Sequence, residues 1–142
     1  MRAVRSVLAV IAGFVAAGAV MMVIESINGR VLYPELGKMA QGVTDRETIR
    51  ALLATAPVGA FLVVLFGWFL GSFVGGFLTA VIAASAPMAH ALVLGGLLTL
   101  AGIANNLMIP PPGWFWIPTL VVFLPAAHAG ARLAPKRTPA QA

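Results

Sequence analysis

The residues whose types could do chemistry in this chain are few, and each sits in or beside an apolar run. Glu25 closes 18 uninterrupted apolar or small residues, Val7–Ile24, and Asn28 follows it by three positions. Asn105 and Asn106 end a second apolar stretch that His90 begins, and His128 lies within a further one. Ionisable and amide groups cost several kcal/mol at membrane depth unless they are paired, so each is a candidate functional group. A carboxylate grouped with amides suits a cation, proton or solute site; it suits equally a set of hydrogen bonds that ties helix ends together. Two histidines raise haem or metal binding. No Cys occurs, which excludes disulfides, thiolate chemistry and cysteine-bound metals. No nucleophile–base pairing, phosphate-binding Gly-rich loop or His/Glu metal motif is present. The expectation is a non-enzymatic protein with no catalytic residues, no metal and no cofactor.

The elements that must position these groups follow from length and hydropathy. About 20 apolar residues cross the ~30 Å hydrocarbon core as a helix. Four segments qualify, near 6–27, 58–84, 88–109 and 114–133. None alternates polar and apolar residues as a barrel strand must. The expected fold class is therefore all-α, a four-helix transmembrane bundle forming one domain over 1–142. Ser85-Ala86-Pro87 leaves room only for a tight hairpin between the second and third spans, with Pro87 in the first turn of the third. Pro110-Pro111-Pro112-Gly113 separates the third from the fourth. The long connection Asn28–Pro57 contains Thr44-Asp45-Arg46-Glu47, which reads as a capping box with Thr44 as N-cap. A short amphipathic helix over 45–55 should follow, its Ile49, Leu52 and Leu53 on one face and its axis along the membrane surface.

Composition agrees with a membrane chain. Of 142 residues 61% are hydrophobic and 9% charged, whereas a soluble domain carries about 25% charged residues. The net charge of +5 points to anionic lipid headgroups rather than nucleic acid, because no soluble basic face exists to bind one. The Val7–Ile24 run exceeds the usual ~7–15-residue core of a signal peptide and reads as a retained span. Arg2 and Arg5 before the first span, with Arg132, Lys136 and Arg137 after the fourth, oppose Arg30, Lys38, Arg46 and Arg50 in the long loop. That bias puts both termini in the cytoplasm. Tyr33, Trp114 and Trp116 then form the outer aromatic belt.

Small residues mark the packing faces. Gly67, Gly71 and Gly75 recur every four residues on the second span as a glycine zipper, and Gly95 and Gly102 with Thr99 form a stripe on the third. Gly130, between Ala126 and Ala134, does so on the fourth. Such stripes let helix backbones approach closely, within one bundle or in a homo-oligomer. Glu25 shares a stripe with Phe14, Gly18 and Met22 and is expected to face the bundle. Asn106 continues the Gly102 stripe. The sequence thus predicts an outer polar cluster of Glu25, Asn28, Asn105 and Asn106, with Glu25 meeting Asn106 directly or through one water. The histidines fit a shared iron poorly: at ~1.5 Å per residue His90 lies roughly 13 Å from the centre of its span and His128 about 5 Å. His90 is better placed at the interface, and His128 beside a carbonyl that Pro125 releases.

Glu25 closing the first span, Tyr33-Pro34, Trp68 with Gly71 and Gly75-Gly76, and Asn106 followed by Ile109-Pro110-x-Pro112-x-Trp114-Phe115 run along nearly the whole chain. In these motifs the chain resembles an uncharacterised family of small bacterial four-span integral membrane proteins. One departure is Pro111, where that pattern has a His, so the loop lacks that titrating group. The resemblance implies a bacterial inner-membrane protein and no activity. In size and span number the chain is also similar to small multidrug transporters and fluoride channels. The former hold their essential Glu deep in the first span, whereas Glu25 is placed by sequence at its outer end. Two functions follow as expectations: a subunit or packing module of a larger membrane assembly, or a homo-oligomeric channel or transporter for a small ion or solute. The lipid bilayer is the expected partner in both.

Overall fold

The computed structural model describes residues 1–135, all of whose regular elements are helical. They are α1 (Arg2–Ile27), α2 (Pro34–Ala40), α3 (Arg46–Ala54), α4 (Val58–Ile82), α5 (Pro87–Met108) and α6 (Trp116–Arg132). Lys136, Arg137 and Gln141 lie outside the described residues.

Four helical stretches are long and apolar enough to cross a membrane: 31, 25, 22 and 20 residues over Arg2–Leu32, Val58–Ile82, Pro87–Met108 and Gly113–Arg132. At 1.5 Å per residue even the shortest spans about 30 Å, which fits a multi-pass membrane protein. The first stretch is longer than sequence suggests because the chain stays coiled beyond Ile27. A π-helical turn, Asn28–Leu32, follows α1 directly, with the Tyr33 N–H donating to the Asn28 carbonyl at 2.8 Å. Glu25 thus lies seven residues, roughly 10 Å, inside the helical stretch rather than at its end.

The helices assemble around α4, which packs extensively on α1 and α6 and less on α5; α5 leans mainly on α6, and α1 touches α5 only sparsely. Glycines set the closest approaches. A Cβ at Gly71 would meet the Ala17 carbonyl at 2.7 Å, and one at Gly75 the Gly13 carbonyl at 2.6 Å, so the Gly67–Gly71–Gly75 face is occupied by α1 of the same chain. Gly67 receives Ile24. Gly76 and Gly130 seat α4 against α6 backbone to backbone, at Ala127 and Phe73 respectively. A Cβ at Gly95 would meet Leu124 at 3.2 Å and one at Gly102 would meet Phe123 at 2.6 Å. Gly13 and Gly76, absent from the sequence-derived stripes, are as tightly enclosed as any glycine in them. Polar backbone links reinforce this end: Thr79 Oγ1 donates to the Ala9 carbonyl at 3.2 Å, and Arg5 Nε to the Ile82 carbonyl at 2.8 Å. The arginine thus caps the C-terminus of α4, where a cation complements the helix dipole.

The connection between α1 and α4 holds more structure than sequence suggests. Pro34 at the first position, Glu35 in the first turn and Lys38 in the last build α2, and Gly37 lets it press on Gly29. The start of α3 shifts by one residue from expectation. Asp45, not Thr44, is the N-cap, and its Oδ2 accepts from the Thr48 N–H at 2.9 Å and the Thr48 hydroxyl at 2.7 Å. Aspartate is as good an N-cap as Thr or better, and Thr48 supplies a second donor that Glu47 would not. Ile49, Leu52 and Leu53 are the half-buried residues of α3. Leu53 packs against the aromatic cluster of Phe61, Trp68, Phe115 and Phe123. Pro87 opens α5 at its first turn, following Ala86 in a left-handed conformation with φ of 42°.

Candidate functional site

The polar groups singled out in the sequence gather at the loop end of the molecule, where α1 ends and α4 begins. α1 and α4 run antiparallel, and side chains on any helix tilt toward its N-terminus. Glu25 therefore leans toward mid-helix from α1, while Trp68 leans toward the loop end from α4. They meet: the Trp68 indole N–H donates to Glu25 Oε1 at 3.2 Å. Trp68 is only 4% exposed. Its ring stacks on Phe123 at a centroid distance of 5.2 Å and meets the Phe115 edge at 5.4 Å. The donor that holds Glu25 is thus fixed by packing on α6 and on the short turn Gly113–Phe115.

Asn106 takes a different partner. Its Nδ2 donates to Thr119 Oγ1 at 2.9 Å, and the Thr119 hydroxyl donates onward to the Phe115 carbonyl at 2.7 Å. Because that single hydroxyl proton is committed to Phe115, Thr119 acts as acceptor for Asn106, which fixes the orientation of the amide. The other end, Asn106 Oδ1, is buried with no hydrogen-bond partner. Asn106 is 1% exposed and Thr119 0%.

The predicted direct bond between Glu25 and Asn106 does not form; each side chain has a nearer donor or acceptor on a helix that the sequence argument left out. They do line one cavity of about 160 Å³, together with Asn105, Trp68, Phe61 and Phe115, and Leu53 of α3 lies over it. Asn105 is exposed and its side chain makes no hydrogen bond among the described residues. A second cavity of about 210 Å³ shares Glu25, Trp68 and Asn105 and continues along Met21, Leu98, Gly102 and Phe123. Behind Glu25 a third, of about 350 Å³, is bounded by Ser26, Arg30, Lys38 and Gln41. Glu25 is common to all three. Asn28 stands apart from them: its Nδ2 donates to the Ala60 carbonyl at 3.0 Å and its Oδ1 is unpartnered.

Two expectations of orientation change. Phe14 and Met22, which share Glu25's stripe, are exposed, and Gly18 has nothing within 4 Å of its absent Cβ. The stripe faces outward because Gly13, Ala17, Met21 and Ile24 supply the contact with α4 instead. Glu25 sits at the rim of the bundle, where the seam between α1 and α5 opens. Trp68 and Thr119 are the partners that sequence did not assign. Trp68 had a signal, as a lone indole beside Gly67; Thr119 had only the rarity of hydroxyls in its span.

The remaining candidates lie elsewhere. Tyr33 is half-buried, its hydroxyl directly above Gly59, while Trp114 is exposed and Trp116 half-buried at the same end. His90 Nδ1 lies 3.0 Å from the Ala86 carbonyl at the start of α5. His128 is half-buried and has no hydrogen bond among the described residues, so the suggested carbonyl partner near Pro125 is not found. No group of three His, Asp or Glu side chains that could hold a metal occurs among the described residues. No family model, curated protein or solved structure matches the chain.

Proposed function

We propose that this protein is a non-enzymatic module of a bacterial inner-membrane assembly. The observation that carries this reading is the incomplete seam between α1 and α5. Elsewhere the glycine faces, including the Gly67–Gly71–Gly75 zipper, are filled by helices of the same chain. At the seam Glu25 and Asn105 remain exposed on helical stretches that are apolar enough to cross a membrane. Lipid is a poor solvent for both groups, and a partner that covers the seam relieves that cost. In this arrangement both termini are cytoplasmic, α3 lies at the outer surface, and Tyr33, Trp114 and Trp116 sit at headgroup level. Cysteine labelling at Gly42 and Gln141 from opposite sides tests the topology. Native mass measurement of the protein extracted from its own membrane tests the assembly. A stoichiometric complex that Ala101→Trp disrupts, by filling the seam, is expected; a monomer before and after that change would sink the reading.

A second reading, a small-ion or solute channel or transporter, is favoured by the cavities on either side of Glu25. Reconstituted flux that is lost in Glu25→Gln, with folding intact, would replace the first reading with this one.

A further inference from the structure

The cleft at the seam has a chemistry more specific than a place for a neighbour. Its two cavities share Glu25, Trp68 and Asn105, yet their walls differ. The one nearer the loop end, about 160 Å³, collects Glu25, Asn105 and Asn106 among the aromatic side chains Phe61, Trp68 and Phe115. The one nearer mid-helix, about 210 Å³, is bounded by Met21, Leu98, Ala101, Gly102 and Phe123. A polar chamber thus opens onto an apolar one.

Two acceptors of the polar chamber keep unused capacity. Trp68 supplies one N–H to one carboxylate oxygen of Glu25, at 3.2 Å. Asn106 Oδ1 is buried and unpartnered, while the amide's Nδ2 donates to Thr119 and the Thr119 hydroxyl donates to the Phe115 carbonyl. A buried acceptor left unpaired is costly, and an N–H entering the cavity is the partner it lacks. A carboxyl group at Glu25 suits a cationic partner with N–H to donate. Hard metal ions take six or more oxygen ligands, whereas Glu25, Asn105 and Asn106 supply fewer and aromatic rings occupy the remaining walls. An organic ammonium fits such a mixed wall, gaining from both the carboxylate and the ring faces. The unpartnered carbonyl further selects an ammonium that carries N–H over a quaternary one.

We propose that the cleft between α1 and α5 binds the primary ammonium group of an amphiphile. Glu25 is the counter-ion, Asn106 Oδ1 the hydrogen-bond acceptor, and the apolar chamber below holds the start of the hydrophobic tail. Entry is lateral, from the lipid. The route from the loop end passes Arg30, which repels a cation, while the charge of Lys38 beside it is paired with Glu35 at 2.9 Å; at the seam Glu25 and Asn105 are both exposed. A primary ammonium reaches this cleft from two sources, a free amphiphilic amine or the ethanolamine headgroup of a phospholipid, and the same contacts recognise either. The site stands whether the protein is a subunit or a carrier.

The test is calorimetric titration of the full chain in phosphatidylcholine nanodiscs with octylammonium, octyltrimethylammonium and octanol. Octylammonium is expected to bind saturably at one site, with octanol at least about tenfold weaker because it brings the tail without the charge. Glu25→Gln, checked for folding by circular dichroism, should weaken octylammonium by about tenfold or more. Asn106→Leu should weaken octylammonium and leave octyltrimethylammonium unchanged, which a general loss of structure would not do. Replacing part of the phosphatidylcholine by phosphatidylethanolamine distinguishes the sources: competition identifies the lipid headgroup, and unchanged affinity identifies a free amine. Non-saturable partitioning alone, or a folded Glu25→Gln protein that binds as well as the parent, overturns the proposal. Should Glu25→Gln not fold, equal loss of both ammonium ligands in Asn106→Leu, or no loss of either, overturns it instead.

Discussion

The two ends of the helix bundle are built by opposite means. At the end that carries the termini, α4 meets α1 and α6 through Gly13, Gly75, Gly76 and Gly130, so backbones touch and almost no side chain intervenes. At the loop end Phe61, Trp68, Phe115 and Phe123 stand between the helices. These rings line the cavities that open around Glu25. Small residues give close contact that nothing can enter; large rigid ones give a frame with gaps. A carboxylate and a buried amide are found in the second region because only there is there room for polar groups and something to orient them. The glycine end reads as the anchor, and the aromatic end as the part able to receive a ligand or neighbour.

The largest effect that separates the two regions should come from adding one methyl group. Gly76→Ala places a Cβ against the backbone of Ala127, with Cα at 2.7 Å and the carbonyl carbon at 2.8 Å, and Gly130→Ala places one against Phe73. Backbone cannot rotate aside, so each should cost about 3 kcal/mol or more, at the upper end of overpacking penalties. Thermal unfolding in detergent measures this. Gly18→Ala, with nothing within 4 Å, should be neutral or slightly stabilising. Equal losses at Gly76 and Gly18 would remove the distinction between anchored and open faces.

The next effect tests whether the polar chain at the aromatic end is structural or held in reserve. Thr119→Val keeps the shape of the side chain and removes the acceptor of Asn106 Nδ2. The whole buried amide is then unpartnered, at a cost of about 1–3 kcal/mol. Asn106→Leu should behave in the opposite way. It gives up one hydrogen bond worth about 1 kcal/mol but also removes the unpartnered Oδ1, so the net change should be near zero or a gain. If Asn106→Leu loses as much as Thr119→Val, the amide is a structural tie and the contrast with the glycine end is one of packing alone.

The four spans were legible in the sequence because crossing a bilayer demands only length and apolarity, and neither depends on tertiary partners. The reach of the first helical stretch beyond Glu25 was not legible. It follows from the π-helical turn Asn28–Leu32, whose Asn28 bonds to Ala60 on another helix, a contact that no local pattern announces. The polar partners were missed for a related reason. Helical stripes placed Glu25 and Asn106 at one end, and they do line one cavity. Stripes cannot tell which helix comes between them, and here α4 and α6 supply the nearer groups, Trp68 and Thr119. The short helix α2 did leave a signal, Pro34 at its first position with Glu35 in the first turn and Lys38 in the last, in the order that suits a helix dipole; Gly37 in its middle masked it.

The smallest effect concerns α3, which bridges the comparison by laying Leu53 over the cavity at the aromatic end. Its start depends on Asp45, whose carboxyl is held below its ordinary value of 3.8 by the Thr48 hydroxyl hydrogen bond and then by the Thr48 backbone N–H. A depressed carboxyl contributes stability that is complete above the unfolded value and is lost as pH falls through the folded one. The first turn of α3 should therefore stay protected from amide hydrogen exchange down to about pH 4 and fray below it. Asp45→Ala should produce the same fraying at neutral pH, and Asp45→Asn, which keeps a capping oxygen, should lose the pH dependence while retaining most of the protection. Because Asp45 is fully exposed, the change should remain local: α4 and α6 protection is expected to be unaltered. Fraying of α3 should also raise solvent access to Trp68, read as quenching of its fluorescence, because Leu53 no longer covers the ring. If the helix frays and the tryptophan signal does not change, α3 is not the cover of the cleft, and the aromatic end is closed by its rings alone.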